Sequence, residues 1–122
     1  MEYVKLGNSD LNVSRICLGC MGFGEAAAGQ HRWTLDEENS NEIIKAALEN
    51  GINFFDLCAG GRSVYEPFGR AIAGRREQVF FQLHFGAVYN AKGDYGWSRN
   101  LKQIQDTFAW ELKALGTGYA DF

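Results

Sequence analysis

The chain has 122 residues, 46% of them hydrophobic, which is enough for one domain with its own core. Its 12 basic and 15 acidic residues give a formal net charge of −3 with no long run of either sign, so nothing favours a nucleic acid or an anionic membrane as partner. The N-terminus lacks a signal-peptide pattern, no apolar run approaches the roughly 18 residues of a membrane span, and three cysteines are not the even number of a secreted disulfide framework. We therefore expect a cytoplasmic protein with reduced thiols.

The N-terminal part of the chain predicts three short strands. Residues 3–15 alternate in polarity on either side of the turn residues Gly7–Asp10, as in a β-hairpin. A short apolar strand, Ile16–Leu18, then leads into the glycine-rich stretch Gly19–Gly24. The glycine spacing in this stretch differs from that of a dinucleotide-binding fingerprint.

A helix and a strand come next in the predicted order. Thr34 and Glu37 have the spacing of a capping box, and the helix that they open is expected to end at Gly51 in a left-handed C-cap. The continuously apolar segment Ile52–Phe55 is typical of a strand that is buried on both faces, and Asp56 follows it directly. An acid at the carboxyl end of a parallel strand is where α/β barrels keep catalytic groups. Asp56 is therefore a candidate catalytic residue, or else a buried, hydrogen-bonded acid or a cap for the next helix.

The remaining residues repeat the alternation of helix and strand. We predict a helix over 65–73, a strand over Val79–Leu83 and a polar, glycine-containing loop to about Ser98. A last strand is predicted at Tyr119–Phe122. The helix before it is the best patterned, with apolar residues at helical spacing: Leu101, Ile104, Phe108, Leu112 and Leu115.

Strands that alternate with helices pair in parallel through right-handed crossovers. Four strands and three helices would form half of a (β/α)8 barrel, which typically takes about 250 residues. The alternative is a complete small open sheet with helices on its faces. We expect an α/β fold that is a partial (β/α)8 barrel, with the hairpin at 3–15 and the βα units at 16–122.

Three segments of the chain resemble the aldo/keto reductases: residues 3–24, residues 50–56 and residues 111–122. The resemblance implies a TIM barrel, closed at its bottom by an N-terminal hairpin, that transfers hydride from NADPH to carbonyl compounds. It implies that residues 1–122 are the N-terminal half of such a barrel, with a small carbonyl compound as the substrate of the full-length protein. NADPH is the expected cofactor of the full barrel, and we do not expect this chain alone to bind it tightly or to be active.

The resemblance also implies four catalytic residues, an Asp, a Tyr, a Lys and a His, of which this sequence matches the first. Asp56 stands at the Asp position, Gly61 where the Tyr is expected and His84 where the Lys is expected. The nearest tyrosine, Tyr65, aligns with the start of the following helix, and the His position would lie past Phe122. His84 is a candidate replacement acid or base, because imidazole titrates near neutral pH, or else a packed histidine that fills the space of a lysine. Tyr65 is a weaker catalytic candidate.

Cofactor and substrate residues are implied by the same resemblance. The end of the first barrel strand, Gly19, Cys20 and Met21, would contact the nicotinamide together with Asp56. Trp33, in the first βα loop, would contact the substrate, or else belongs to a surface loop.

The cysteines raise the question of a metal or redox site. Cys17 and Cys20 have a C-x-x-C spacing, and Cys58 and His84 could approach them at the strand ends. Residues three apart on one strand point to opposite faces, so Cys17 and Cys20 can bind one metal together only if the strand ends before Cys20, and we expect no metal.

A second class of function stays open beside the enzyme. Half of a barrel exposes two unpaired edges, Ile16–Leu18 and Tyr119–Phe122, and open edges recruit partners. The chain could therefore be a non-enzymatic binding or assembly module that self-associates or pairs with a second half.

Overall fold

The structure, a computed structural model, describes residues 1–24, 27, 32–58, 62–89 and 95–122. A short 3-10 helix, Arg76–Gln78, connects the second helix to the fifth strand. The other elements follow in chain order as β1 (Tyr3–Lys5), β2 (Asn12–Ser14), β3 (Cys17–Gly19), α1 (Glu37–Glu49), β4 (Phe54–Leu57), α2 (Arg62–Ala71), β5 (Phe80–Leu83), β6 (Ala87–Tyr89), β7 (Tyr95–Trp97) and α3 (Leu101–Leu115).

The centre of the fold is a parallel sheet in the order β3-β4-β5. Helix α1 connects β3 to β4, and α2 connects β4 to β5, so two complete βα crossovers are present. The predicted alternation of strands and helices is confirmed, and the fold is that of a partial barrel. In the described part of the chain, no helix has the length and apolar character needed to cross a membrane.

The burial of β4 differs from the prediction. The strand begins at Phe54, two residues later than expected, and its residues alternate between half-buried and buried positions. Phe55 and Phe81 both pack on Phe68 of α2, with ring centroids 5.2 Å and 6.1 Å apart. Asp56 and Phe54 lie on the other face, which the described helices leave half-covered. The prediction of burial on both faces was therefore wrong for this chain.

The N-terminal hairpin lies at the amino end of β4. Strands β1 and β2 pair antiparallel, as predicted, with Tyr3 opposite Ser14. The backbone N–H of Ser14 donates to Asn53 Oδ1 at 2.7 Å, and the Asn53 N–H donates to Ser14 Oγ at 3.2 Å. These two bonds fix the hairpin below the sheet, opposite the carboxyl ends of the strands.

Helix α1 is capped by a residue other than the predicted one. Asp36 is the N-cap, and its carboxylate accepts the backbone N–H of Asn39 at 2.9 Å. The Thr34 capping box was therefore wrong, because a second good cap lies two residues further along and Leu35 is held outside the helix by its bond to Gly22 O. The left-handed end of the helix is confirmed, with Gly51 at φ +83°.

Two C-terminal predictions are corrected. The segment predicted as a polar loop contains an antiparallel hairpin, β6–β7, with Ala87 opposite Trp97. Residues 119–122 are not a strand, although Asp121 N donates to Phe81 O at 3.3 Å and Leu83 N donates to Phe122 O at 3.2 Å. These bonds do not continue as a regular ladder along β5.

Arg76 explains why the C-terminal segment is ordered without a ladder. Its guanidinium donates to Asp121 Oδ2 at 2.9 Å, to Thr117 Oγ1 at 3.1 Å and to Tyr119 O at 3.1 Å. The guanidinium carbon also lies 3.8 Å from the centroid of the Tyr119 ring. A planar group that donates several hydrogen bonds and also stacks on an aromatic ring is specific to arginine.

A buried acid lies between α2 and α3. Glu111 is 1% exposed, and its Oε1 lies 3.2 Å from the hydroxyl of Tyr65, which also lies 3.1 Å from Cys58 O. Burial raises the pKa of Glu111 from 4.5 to about 7, and the hydrogen bond from Tyr65 opposes this rise only in part. One phenol proton cannot be donated to both acceptors, so both hydrogen bonds can form at once only if a protonated Glu111 donates to Tyr65 while Tyr65 donates to Cys58 O.

We predict that Glu111→Gln stabilises the chain at alkaline pH. Because the pKa of Glu111 is higher in the folded state, the penalty for its ionisation is absent below about pH 4.5 and complete above about pH 7. The gain at pH 8 should be about 2 kcal/mol once solvent screening is allowed for. Urea unfolding at pH 4 and pH 8 measures it.

The exposed Glu38 of α1 provides the control. Glu38→Gln removes the same charge from the exposed first turn of α1, where a carboxylate is favourable, so it should not stabilise the chain at either pH. An equal pH dependence in the two variants would contradict the assignment to Glu111.

Candidate active site

The carboxyl ends of β3, β4 and β5 surround one cavity of about 530 Å³. The cavity is lined by every residue that the sequence predicted for cofactor binding, substrate binding or catalysis, except Tyr65. These residues are Gly19, Cys20, Met21, Trp33, Asp56 and His84. A sheet whose strands run parallel brings all of these ends to one side, which is why residues far apart in sequence meet here.

A larger groove, about 650 Å³, lies elsewhere, between α2 and α3. Its two arginines are already engaged, Arg70 with Glu37 and Arg76 with Asp121, each at 2.9 Å or less. The groove is also remote from the strand ends, so we do not place the site there.

Asp56 connects the three strands of the sheet. Its backbone carbonyl accepts the N–H of Cys20 at 2.9 Å, which extends the pairing of β3 with β4. Its Oδ1 accepts a hydrogen bond from Gln82 Nε2 at 2.8 Å and lies 2.9 Å from His84 Nε2. The carboxylate is thus held by two donors from the neighbouring strand and the residue that follows it.

His84 follows β5 directly, two residues after Gln82 and therefore on the same side of the sheet. Its side chain is 42% exposed, against 34% for the side chain of Asp56, and both residues line the cavity. A carboxylate that binds one nitrogen of an imidazole fixes the orientation of the ring and leaves the second nitrogen to exchange a proton. This pair can therefore act as an acid or a base toward a molecule in the cavity.

The loop after β3 forms one wall of the cavity and is held by α1. Gly24 N donates to Ser40 Oγ at 2.9 Å, and Ser40 Oγ in turn donates to Asp36 O at 2.6 Å. Leu35 N donates to Gly22 O at 2.8 Å. The first turn of α1 thus fixes the path of the chain from β3 into the cavity wall.

Trp33 lies against the backbone of Gly22. A Cβ built on Gly22 would lie 2.3 Å from Cζ3 of the Trp33 ring, which shows that the indole occupies the space of a side chain. The Trp33 residue is 59% exposed, so one part of the ring covers Gly22 while the rest lies at the rim of the cavity.

Cys17 and Cys20 have little thiolate character. Burial, with a smaller contribution from the charge of Asp56, raises the pKa of Cys17, and burial raises the pKa of Cys20 strongly. Cys17 lies on β3 and is exposed, whereas Cys20 follows the end of β3 and is fully buried. Among the described residues, no three His, Cys, Asp or Glu side chains are grouped to hold a metal ion.

Tyr65 lies outside the cavity. Its side chain is fully buried, and its ring packs edge-on against Trp110 of α3 at a centroid distance of 5.5 Å. Its hydroxyl is engaged in hydrogen bonds with Glu111 and with Cys58 O, so we do not count Tyr65 among the candidate catalytic residues. Gly61, at the expected tyrosine position, lies outside the described residues.

Gln82 is the residue of this site that the sequence reasoning missed. A polar side chain between Phe81 and Leu83 was a usable signal, because it interrupts a strand that is otherwise apolar. The contact of Gln82 with Asp56 could not be predicted from this signal alone, because it depends on the register of β4 against β5, which places the two residues directly opposite each other.

The cavity is better suited to the nicotinamide ring of a dinucleotide than to its pyrophosphate. A Cβ built on Gly19 would meet nothing within 4 Å, so a flat ring could approach the backbone there. The described lining residues include no Lys or Arg, so they offer no cation for a pyrophosphate. The described lining residues therefore suit an uncharged ring such as nicotinamide better than a pyrophosphate.

We predict that Gly22→Ala displaces the Trp33 ring, because the new methyl group would occupy the position of the indole. Acrylamide quenching of tryptophan fluorescence measures how accessible the Trp33 ring is to solvent. Trp97 and Trp110 are first replaced by Phe, so that Trp33 is the sole tryptophan. The quenching constant should rise in Gly22→Ala. Gly19→Ala, which meets no neighbour within 4 Å, should leave it unchanged, and equal values in both variants would contradict the packing described above.

Comparison with known proteins matches residues 15–122 to the aldo/keto reductase family. An aldo-keto reductase from Bacillus halodurans in its holo form superposes with a TM-score of 0.79 and 27% identity, over 98% of this chain and 38% of that structure. The glycerol dehydrogenase of Gluconobacter oxydans superposes with a TM-score of 0.74 and 21% identity, over 98% of this chain and 37% of that structure, and at this identity it shows the fold alone.

Curated relatives agree with these structures. The uncharacterized oxidoreductase YqkF of Bacillus subtilis is 31% identical over 126 residues, which cover 99% of this chain and 37% of that protein. The versiconal hemiacetal acetate reductase of Aspergillus parasiticus is 45% identical over 58 residues, which cover 48% of this chain and 16% of that protein. The chain thus spans well under half the length of the relatives that it matches. The family match extends over nearly the whole chain, and the chain belongs to the aldo/keto reductase family.

Proposed function

We propose that this chain is the N-terminal portion of a cytoplasmic NAD(P)H-dependent oxidoreductase that reduces small carbonyl compounds, and that the chain alone has no meaningful turnover. The observation that carries the proposal is the Asp56–His84 pair, with Nε2 and Oδ1 2.9 Å apart, in a cavity at the carboxyl ends of three parallel strands. Family membership supplies the reaction class, and the pair supplies a proton-transfer group in the expected place.

Reduction of a carbonyl requires a hydride at carbon and a proton at oxygen. A bound nicotinamide cofactor supplies the hydride, and Gly19, Cys20 and Met21 with Asp56 would hold its ring. His84 takes the role of proton donor, and Asp56 orients the imidazole. This chain covers only 38% of the holo structure from Bacillus halodurans that it resembles, which supports weak binding of the whole cofactor by this chain alone.

The proposed roles predict a large loss of activity on substitution. In a longer protein that continues this chain through the remaining strand–helix units, His84→Gln and Asp56→Asn should each lower kcat about 100-fold or more, because proton transfer is lost. NADPH consumption with several aldehydes and ketones measures kcat. Glu38→Gln, on the exposed face of α1, serves as the matched control.

The same assay tests the isolated chain, for which we expect no NADPH consumption above background. Turnover well above background that disappears in Asp56→Asn would overturn the proposed inactivity. Full activity of His84→Gln in the longer protein would overturn the role of His84 and leave the reaction class standing.

We infer a second candidate function, self-association, from the edges of the sheet. Among the described strands, β3 pairs with β4 alone, and Ile16 beside it is 54% exposed. An unpaired strand with an exposed apolar neighbour favours pairing with another chain. Two copies of this chain could cover each other in this way.

Sedimentation velocity over a range of concentrations tests self-association. We expect a concentration-dependent dimer that Ile16→Lys disrupts, because a charge at the edge opposes pairing. Ile43→Lys is the matched control, since Ile43 is also an exposed apolar residue (39%) but lies on α1. A compact monomer at every concentration would exclude assembly as the function.

A further inference from the structure

We infer that Gln82 is a positioning residue of this site, which holds Asp56 so that His84 is bound through Nε2 and keeps Nδ1 for the reacting carbonyl. The inference deepens the proposed carbonyl reduction and rests on it for its catalytic part. Its structural part, the fixing of the imidazole by a Gln–Asp pair, can be tested without any turnover.

The register of β4 against β5 brings Gln82 beside Asp56. Asp56 of β4 and Gln82 of β5 are direct partners in the parallel pairing, so their side chains leave the sheet on the same face. Gln82 Nε2 donates to Asp56 Oδ1 at 2.8 Å. His84, two residues beyond Gln82, reaches the same oxygen at 2.9 Å.

The contact with Asp56 determines which nitrogen of the His84 ring carries a hydrogen. An ionised carboxylate only accepts hydrogen bonds, so the imidazole nitrogen that contacts Asp56 must be the donor, Nε2–H. In the neutral ring Nδ1 is then the acceptor, and in the charged ring it carries the exchangeable proton. Among the described residues Nδ1 has no hydrogen-bond partner, and the side chain is 42% exposed in the cavity.

The carboxylate of Asp56 needs the Gln82 amide as a second donor to keep one orientation. The Asp56 side chain is 34% exposed, so water competes for both carboxylate oxygens and the group can turn about its terminal torsion. The amide of Gln82 favours the orientation in which Oδ1 lies between β4 and β5. Without that amide, we expect Asp56 to hold the Nε2–H form of His84 less strongly.

Nitrogen-15 NMR of the imidazole rings tests the inference on the chain itself. The sequence has two histidines, His31 and His84, so His84→Gln assigns the signals. At a pH where ordinary imidazole is neutral, the shifts of the two ring nitrogens report the ratio of the two tautomers. We expect Nε2–H to dominate in the natural chain and the ratio to fall about fivefold in Gln82→Met, which keeps the side-chain length and removes the donor.

Gln78→Met is the matched control, because Gln78 is exposed on the short 3-10 helix before β5. It should leave the tautomer ratio unchanged. An unchanged ratio in Gln82→Met would overturn the inference. If that variant does not fold, Gln82→Asn serves instead, since its amide is one methylene too short to make the 2.8 Å bond.

A kinetic readout in the longer protein tests the catalytic part. Gln82→Met should lower kcat about tenfold with little change in KM, because positioning of the proton donor is lost while substrate binding is kept. A shifted tautomer ratio with unchanged kcat would overturn the catalytic part alone. If the longer protein with its natural residues shows no reduction of any carbonyl, the proposed function fails, and the NMR result still decides whether Gln82 positions His84.

Discussion

The register of β4 against β5 is the constraint on which the rest of this structure depends. Phe55 pairs with Phe81 on the face that packs against α2, and Asp56 pairs with Gln82 on the face of the cavity. Because side chains alternate along a strand, a slip of one residue would place the carboxylate in the aromatic core and Phe55 in the cavity. The aromatic packing that stabilises the domain therefore also decides which residues form the site.

The same division of faces explains where polar groups are tolerated. On the cavity side, Asp56 shares one oxygen between two hydrogen-bond partners and stays partly exposed, so its carboxylate is solvated by hydrogen bonds and by water. On the helix side, Glu111 has its Oε2 buried without a hydrogen-bond partner among the described residues, and burial raises its pKa to about 7. A buried carboxylate without a cation is more stable when protonated. Asp56 is thus placed to interact with a molecule in the cavity, whereas Glu111 destabilises the core when it is ionised.

Local patterns in the sequence were sufficient for the hairpin at 3–15, the three helices and the parallel strands, because each depends on residues close in the chain. The missed features depend on tertiary contacts. Residues 119–122 read as a strand by composition, yet they are held by Arg76 from a different part of the chain. Gln82 gained its meaning only from the strand opposite it. Thr34 and Asp36 were both acceptable caps, and the bond of Leu35 to Gly22 O decided between them.

The two departures from the family pattern are chemically compatible with each other. A lysine at position 84 would assist a tyrosine acid, and Gly61 stands where that tyrosine is expected. Without a phenol to activate, a lysine has no proton donor to serve, whereas an imidazole is itself a donor near neutral pH. His84 also reaches the carboxylate that the family position supplies, at 2.9 Å. If Gly61 and His84 stand at the Tyr and Lys positions, as the resemblance implies, the proposed site keeps one acid with its orienting group, and this makes the Asp56–His84 pair the centre of the proposed chemistry.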